Sequence, residues 1–252
     1  MKESKGSPIW KALALLLLLS GCGLLLYPAM NRLWQEKRMY RDAEAFRTFV
    51  ESRQEPTVPE PEREPDTPEE AIPAVYPELW QAMKDYNVEI FQSGQAGLTS
   101  PEDYEKAPVS LSDYGLETEA FGVLSIPKLE LEMPLYLGAS KENMAKGAAI
   151  LGQTSLPIGG ANTNCVLAGH RGWNGAAYFL YVPTLELGDE VIITNLWETL
   201  TYRVVETKII SPDDVEAIQI QPGREMLTLL TCHPPASGGR QRYLVFCERI
   251  YS

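Results

Sequence analysis

The sequence predicts a mainly β domain, a barrel or a sandwich, held behind an N-terminal membrane-spanning helix. Three observations carry that expectation. From Phe121 onward, short runs rich in Val, Ile, Leu, Thr and Tyr alternate with turn residues. Near the N-terminus, Ala12 to Ala29 is an apolar stretch without a charge. Between the two lies a Pro- and Glu-rich segment without core-forming residues.

Taken in chain order, residues 1–30 read as a cytoplasmic N-terminus and a transmembrane anchor. Lys2, Lys5 and Lys11 precede the apolar run, which places the N-terminus inside by the positive-inside rule. Arg32, Lys37, Arg38 and Arg41 follow it and weaken the asymmetry. Leu19-Ser20-Gly21-Cys22 also has the form of a lipoprotein cleavage site, with Cys22 as the lipidated residue. The apolar run continues through Leu24-Leu25-Leu26-Tyr27, longer than a signal-peptide core needs, which favours an uncleaved anchor. Either way the remainder is expected outside, tethered to the outer membrane face.

Residues 31–75 follow as an amphipathic helix and a stalk. Leu33, Tyr40, Ala43, Phe46, Phe49 and Val50 recur at helical spacing. Residues 55–70 then hold five prolines and seven acids, an extended, solvated composition. Residues 76–118 begin with a second helix, with Leu79, Met83, Tyr86 and Ile90 on one face, and end in a Gly-, Ser-, Pro- and Asp-rich segment, 93–118. That segment is expected to be a lid or a connector. Residues 119–252 form the β domain, with strands expected at Phe121–Ile126, Leu129–Tyr136, Asn164–Gly169, Glu190–Thr194, Thr199–Glu206, Met226–Thr231 and Arg242–Arg249.

Composition narrows the chemistry. A net charge of −12 over 252 residues, with no basic stripe, argues against nucleic acid as a partner. No Gly-rich phosphate loop follows a strand, so no nucleotide cofactor is expected. The chain has two histidines and four cysteines, too scattered for a metal site, and no metal is expected. With Cys22 in the anchor, Cys165, Cys232 and Cys247 leave an odd count, so at least one thiol outside it stays free.

Cys232 ends the apolar run Thr228-Leu229-Leu230-Thr231, a strand-to-loop boundary where reactive side chains are commonly displayed. To act as a thiolate near neutral pH it needs a base or a cation beside it. His233 is adjacent, but successive strand residues face opposite ways. His170, in Val166-Leu167-Ala168-Gly169-His170-Arg171-Gly172, ends another apolar run and is the better partner. Arg242 opens the strand after Cys232, where a hairpin sets it beside the thiol and a guanidinium there would stabilise an oxyanion. Arg240 is its rival.

These segments together resemble the sortase family. Thr228-Leu229-Leu230-Thr231-Cys232, Leu167-Ala168-Gly169-His170-Arg171 and Arg242-Tyr243-Leu244-Val245 match its cysteine, histidine and arginine segments in family order. Ile126-Pro127-Lys128, Met133-Pro134-Leu135-Tyr136 and Thr154-Ser155-Leu156-Pro157-Ile158-Gly159-Gly160 look most like the pilin-polymerising class C. Residues 93–118 lack that class's Asp-Pro-aromatic lid motif, and no second apolar stretch follows the last strand. The resemblance implies a closed eight-stranded β-barrel with short helices and a transpeptidase acting on a Leu-Pro-x-Thr-Gly-like sorting motif. Cys232 would attack the Thr–Gly carbonyl and His170 would protonate the departing amine. Arg242 would hold the substrate and oxyanion, and Thr231 would line the substrate groove. The implied partners are surface proteins or pilins bearing the motif, and an amine acceptor, either a pilin lysine or a lipid-linked peptidoglycan precursor. A hydrolytic cysteine peptidase and an inactive sortase-like surface-binding domain are the alternatives.

Overall fold

The computed structural model describes residues 8–53, 72–99 and 101–251. The Pro/Glu-rich stretch at 55–70 lies outside the described residues.

The expected anchor and amphipathic helix are one element. Helix α1 (Pro8–Arg53) runs for 46 residues straight through Pro28. Its N-terminal half is long and apolar enough to cross a bilayer by length and composition. Proline within a helix removes one backbone hydrogen bond, and membrane-type helices tolerate it where neighbours satisfy the freed groups. The C-terminal half buries Met39, Ala43, Phe46 and Val50, at helical spacing, in the same core as the barrel. Arg47 pairs with Glu132, and Tyr40 donates to Glu130 O at 2.8 Å. Helix α2 (Pro77–Gln92) buries Leu79 and Met83 in that core too. The acidic stretch therefore joins two elements that both pack on the β domain.

The β domain is a closed barrel of eight strands. In chain order its strands are β1 (Ala120–Ile126), β2 (Leu131–Leu137), β3 (Ala148–Ile150) and β4 (Thr163–Ala168). A two-stranded hairpin, β5 (Arg171–Trp173) and β6 (Ala176–Tyr178), stands apart from it. The barrel resumes with β7 (Glu190–Thr194), β8 (Thr199–Ile210), β9 (Glu225–His233) and β10 (Gln241–Arg249), and closes in the order β1-β2-β3-β4-β9-β10-β8-β7. Three residues of β3 and the hairpin were not among the expected strands.

Two faces of the barrel are buried, and that places the site. Cys165 and Leu167 on β4, Leu227 and Leu229 on β9, and Val245 and Cys247 on β10 fill the interior. The alternate residues Val166, Ala168, Met226, Leu230, Leu244 and Phe246 face outward, yet they too are covered. Their cover comes from Leu98 and Tyr104, before the barrel, and from Val215 and Ile218, between β8 and β9. Strands apolar on both faces follow from this double burial. Phe46 is 2% exposed, so Phe46→Ala should cost about 3–5 kcal/mol. The check is the urea midpoint of the full chain in detergent, where a shift under a third of that size would show that α1 is only loosely seated.

Candidate active site

β4 and β9 are neighbours and run parallel, with Ala168 opposite Leu230. Parallel strands bring their carboxyl ends to the same rim of the barrel. The pairing extends one step further, since Gly169 N donates to Leu230 O at 3.1 Å and Thr231 Oγ1 donates to Gly169 O at 2.8 Å. His170 and Cys232 are each two residues past a paired position, so they emerge side by side. β10 runs antiparallel to β9 with Arg242 directly opposite Cys232. All three line one cavity of about 330 Å³, with Thr231 in its wall. Its floor is the outward face of β4 and β9. Its walls include Tyr104, Glu105, Asp213, Asp214 and Val215.

Of the two arginines, Arg242 is the one beside the thiol. Its Nη1 lies 3.9 Å from Cys232 Sγ and donates to Gly239 O at 2.7 Å, while Arg240 is exposed in the loop. Gly239 has φ +77°, and a Cβ there would stand 2.8 Å from Arg242 Nη1 and 3.6 Å from Cys232 Sγ. The loop backbone can thus close on the thiol only with glycine at that position. Cys165 and Cys247 are buried in the barrel, and burial pushes both thiols up, so they stay neutral. Cys232 is half-buried in the cavity wall.

The His170 ring stacks on Trp173, with centroids 4.4 Å apart and planes 13° from parallel. The edge of Tyr178 meets it at 6.1 Å. Both aromatics belong to the β5–β6 hairpin, which is folded back so that Phe179 N donates to His170 O at 2.9 Å. Partial burial lowers the His170 pKa, because the charged ring is the form that burial penalises.

Arg171 was not singled out in the sequence. Its Nη1 lies 3.2 Å from Cys232 O and 3.0 Å from His233 Nδ1, and its guanidinium stands 5.9 Å from the Tyr243 ring centroid. It clasps the histidine segment to the end of β9, and His233 serves as an acceptor in that clasp. The only hint was its position next to His170. Among the described residues no group of His, Cys, Asp and Glu could hold a metal ion.

Comparison with known proteins agrees with this architecture. The family model of the sortase domain matches residues 124–250. Sortase D of Bacillus subtilis is 32% identical over 134 residues, 52% of this chain and 65% of that protein. Sortase A of Streptococcus agalactiae is 30% identical over 131 residues, 50% of this chain and 51% of its own length. The matches thus span between half and two thirds of these relatives. Among solved structures, sortase C1 of GBS pilus island 1 superposes with a TM-score of 0.68 at 27% identity, covering 84% of this chain and 98% of that one. A Clostridium perfringens sortase C, solved with the C-terminal cell wall sorting motif, gives 0.58 at 30% identity over 70% of this chain and 90% of its own.

Two expectations follow from the site. On the reading that Arg242 is an oxyanion donor for a sorting peptide, Arg242→Ala should lower kcat/KM by about 10²-fold or more, as removing such a donor does. Arg240→Ala should change it by no more than about twofold, as for an exposed charge, and the reverse ranking would reassign the role. For pH, a free imidazole titrates near ~6.5, and His170 titrates lower in the fold. The unfolded chain therefore binds the proton first as pH falls. The contribution of neutral His170 is complete above ~6.5 and is lost progressively below it, down to the folded value. His170→Asn should accordingly flatten the acid side of the stability curve below about pH 6.5, measured by urea midpoints. An unchanged slope would contradict the burial argument. By the match of its domain, the order of its segments and its barrel, the chain belongs to the sortase family.

Proposed function

We propose that this chain is a cysteine transpeptidase that cleaves a C-terminal Leu-Pro-x-Thr-Gly-like sorting motif between Thr and Gly and passes the acyl group to an amine. The observation that carries the reading is the register of β4, β9 and β10, which gathers His170, Cys232 and Arg242 around one cavity. The Clostridium perfringens relative solved with a sorting motif supports the substrate class.

In this reading the Cys232 thiolate attacks the Thr carbonyl carbon. The carbonyl oxygen takes the charge and Arg242 stabilises it. The Thr–Gly C–N bond then breaks as His170 gives its proton to the departing glycine amine, leaving a thioester on Cys232. An incoming amine, losing a proton to His170, attacks the thioester carbonyl, and the thiolate leaves. Thr231 lines the groove, and Tyr104 and Glu105, within the 93–118 segment expected to be a lid or a connector, line it too, which supports the lid. The acceptor is a pilin lysine or a lipid-linked wall precursor amine. The N-terminal half of α1 would anchor the enzyme as a single membrane pass with the barrel outside.

The test is the product. Incubated with a sorting peptide and either triglycine or hydroxylamine, the wild type should form the amide or hydroxamate, and mass spectrometry should trap a thioester that Cys232→Ala lacks. Free acid alone would make the enzyme a hydrolytic peptidase, and no adduct at all would make it a binding domain.

A further inference from the structure

The β5–β6 hairpin that frames His170 does not float free of the anchor. Its turn sits directly on α1. Asn31 Nδ2 donates to Asn174 O at 2.8 Å. A Cβ built on Gly175 would meet Pro28 O at 3.3 Å and Arg32 Cβ at 3.4 Å, so the backbones approach as closely as glycine permits. Tyr181, just past the hairpin, lies near enough to Arg32 to interact with it electrostatically.

The level of this contact along the helix follows from the sequence. Between Lys11 and Arg32 no residue is charged. At ~1.5 Å rise per residue that stretch is ~30 Å long, the thickness of a bilayer's hydrocarbon core. Asn31 and Arg32 therefore mark its outer boundary, and the hairpin turn rests at that height. Several side chains exposed around this level, beside Met30 and Leu33, are of the kind that favours the interface. Tyr27 and Trp34 are 67% and 59% exposed on the helix, and Trp173 and Tyr181 are 42% and 53% exposed on the hairpin side. Aromatic rings with a polar edge concentrate where hydrocarbon meets headgroups. The chain carries 34 Asp and Glu, yet residues 171–181 contain none of them, and an anionic bilayer surface would repel carboxylates there.

Resting on the reading that α1 spans the membrane, we infer that the β5–β6 hairpin and Tyr181 form a face seated on the outer leaflet, so that the His170 edge of the active site lies at the lipid headgroups. The occupant of this exposed aromatic surface is lipid. Trp173 then has two neighbours, the imidazole on one side and the interface on the other. An acceptor carried by a lipid would meet the thioester from that side without leaving the membrane surface.

Photocrosslinking of the full chain tests this in vesicles of phosphatidylglycerol and phosphatidylcholine carrying a radiolabelled lipid. p-Benzoylphenylalanine replaces Leu17 within the apolar half of α1, Tyr181 beside the hairpin, or Tyr251. Tyr251 is 75% exposed and donates to Glu225 at the other end of β9 from Cys232. Replacing the exposed Tyr181 by another aromatic leaves the fold undisturbed. The inference expects lipid adducts at 17 and 181, and none above the unirradiated level at 251. An adduct at 17 without one at 181 overturns the seated face and leaves the spanning helix standing. No adduct at 17 overturns the spanning helix, and the seated face with it. An adduct at 181 to a second protein molecule in place of lipid would assign the face to a copy of the chain and overturn the inference.

Discussion

The parallel pairing of β4 with β9 is the constraint on which the site depends. A thiol and an imidazole 62 positions apart in the chain meet because two neighbouring strands end at the same rim in a fixed register, Ala168 against Leu230. A one-residue slip would turn each side chain to the opposite face. The register is held beyond the ladder itself. Thr228 Oγ1 donates to Asn164 Oδ1 at 2.8 Å, and Asn164 Nδ2 donates onward to Ile218 O at 2.9 Å. A buried polar chain thus ties β9 to β4 and β4 to the roof, where breaking any one link would leave a desolvated group without a partner.

Around that register the fold supplies charge and shielding from separate pieces. Arg242 comes from the antiparallel side of β9, held by the carbonyl of Gly239, and Arg171 comes from the histidine side, held by the carbonyl of Cys232. Two guanidinium groups therefore flank the end of β9. The hairpin aromatics shield His170 while leaving its ring at the cavity wall. None of these contacts uses a long-range charge pair of the acidic surface, and the strongly negative net charge plays no part in the site's geometry.

What could be read from the sequence divides along the same lines. The strand run ending in Cys232 and the hairpin to Arg242 were legible because the two residues are close in sequence and a hairpin register follows from loop length. Strand spacing made a mainly β domain legible and left barrel and sandwich open; the closed barrel came from the family resemblance. The parallel β4–β9 partnership was not legible, since the 56 residues between Ala168 and Glu225 carry no local signal of it. The pairing of His170 with Cys232 was inferred from scarcity of histidine, whereas the structure supplies a register. β3 has only Ala148, Ala149 and Ile150, too short to show alternation. The β5–β6 hairpin reads as a Gly-rich loop, because its strands have three residues each and its work is to pack on α1 and His170. Arg171 was read only as part of the histidine segment, because the carbonyl and imidazole it binds lie 61 and 62 positions away at the end of β9.

The double burial of β4, β9 and β10 has a consequence for how such an enzyme can change. Any new side chain on the floor of the groove must satisfy the barrel interior on one face or the packed outer layer on the other, and a poor fit at Leu229 or Leu230 would displace the thiol by the same motion. The floor is thus closed to adaptation. The roof is not. Tyr104, Glu105, Asp213 and Val215 sit on connecting segments that border the cavity without belonging to the ladder. Altered peptide preference, whether arrived at by selection or by an engineer, has room to arise in those two segments while the strands beneath keep their register.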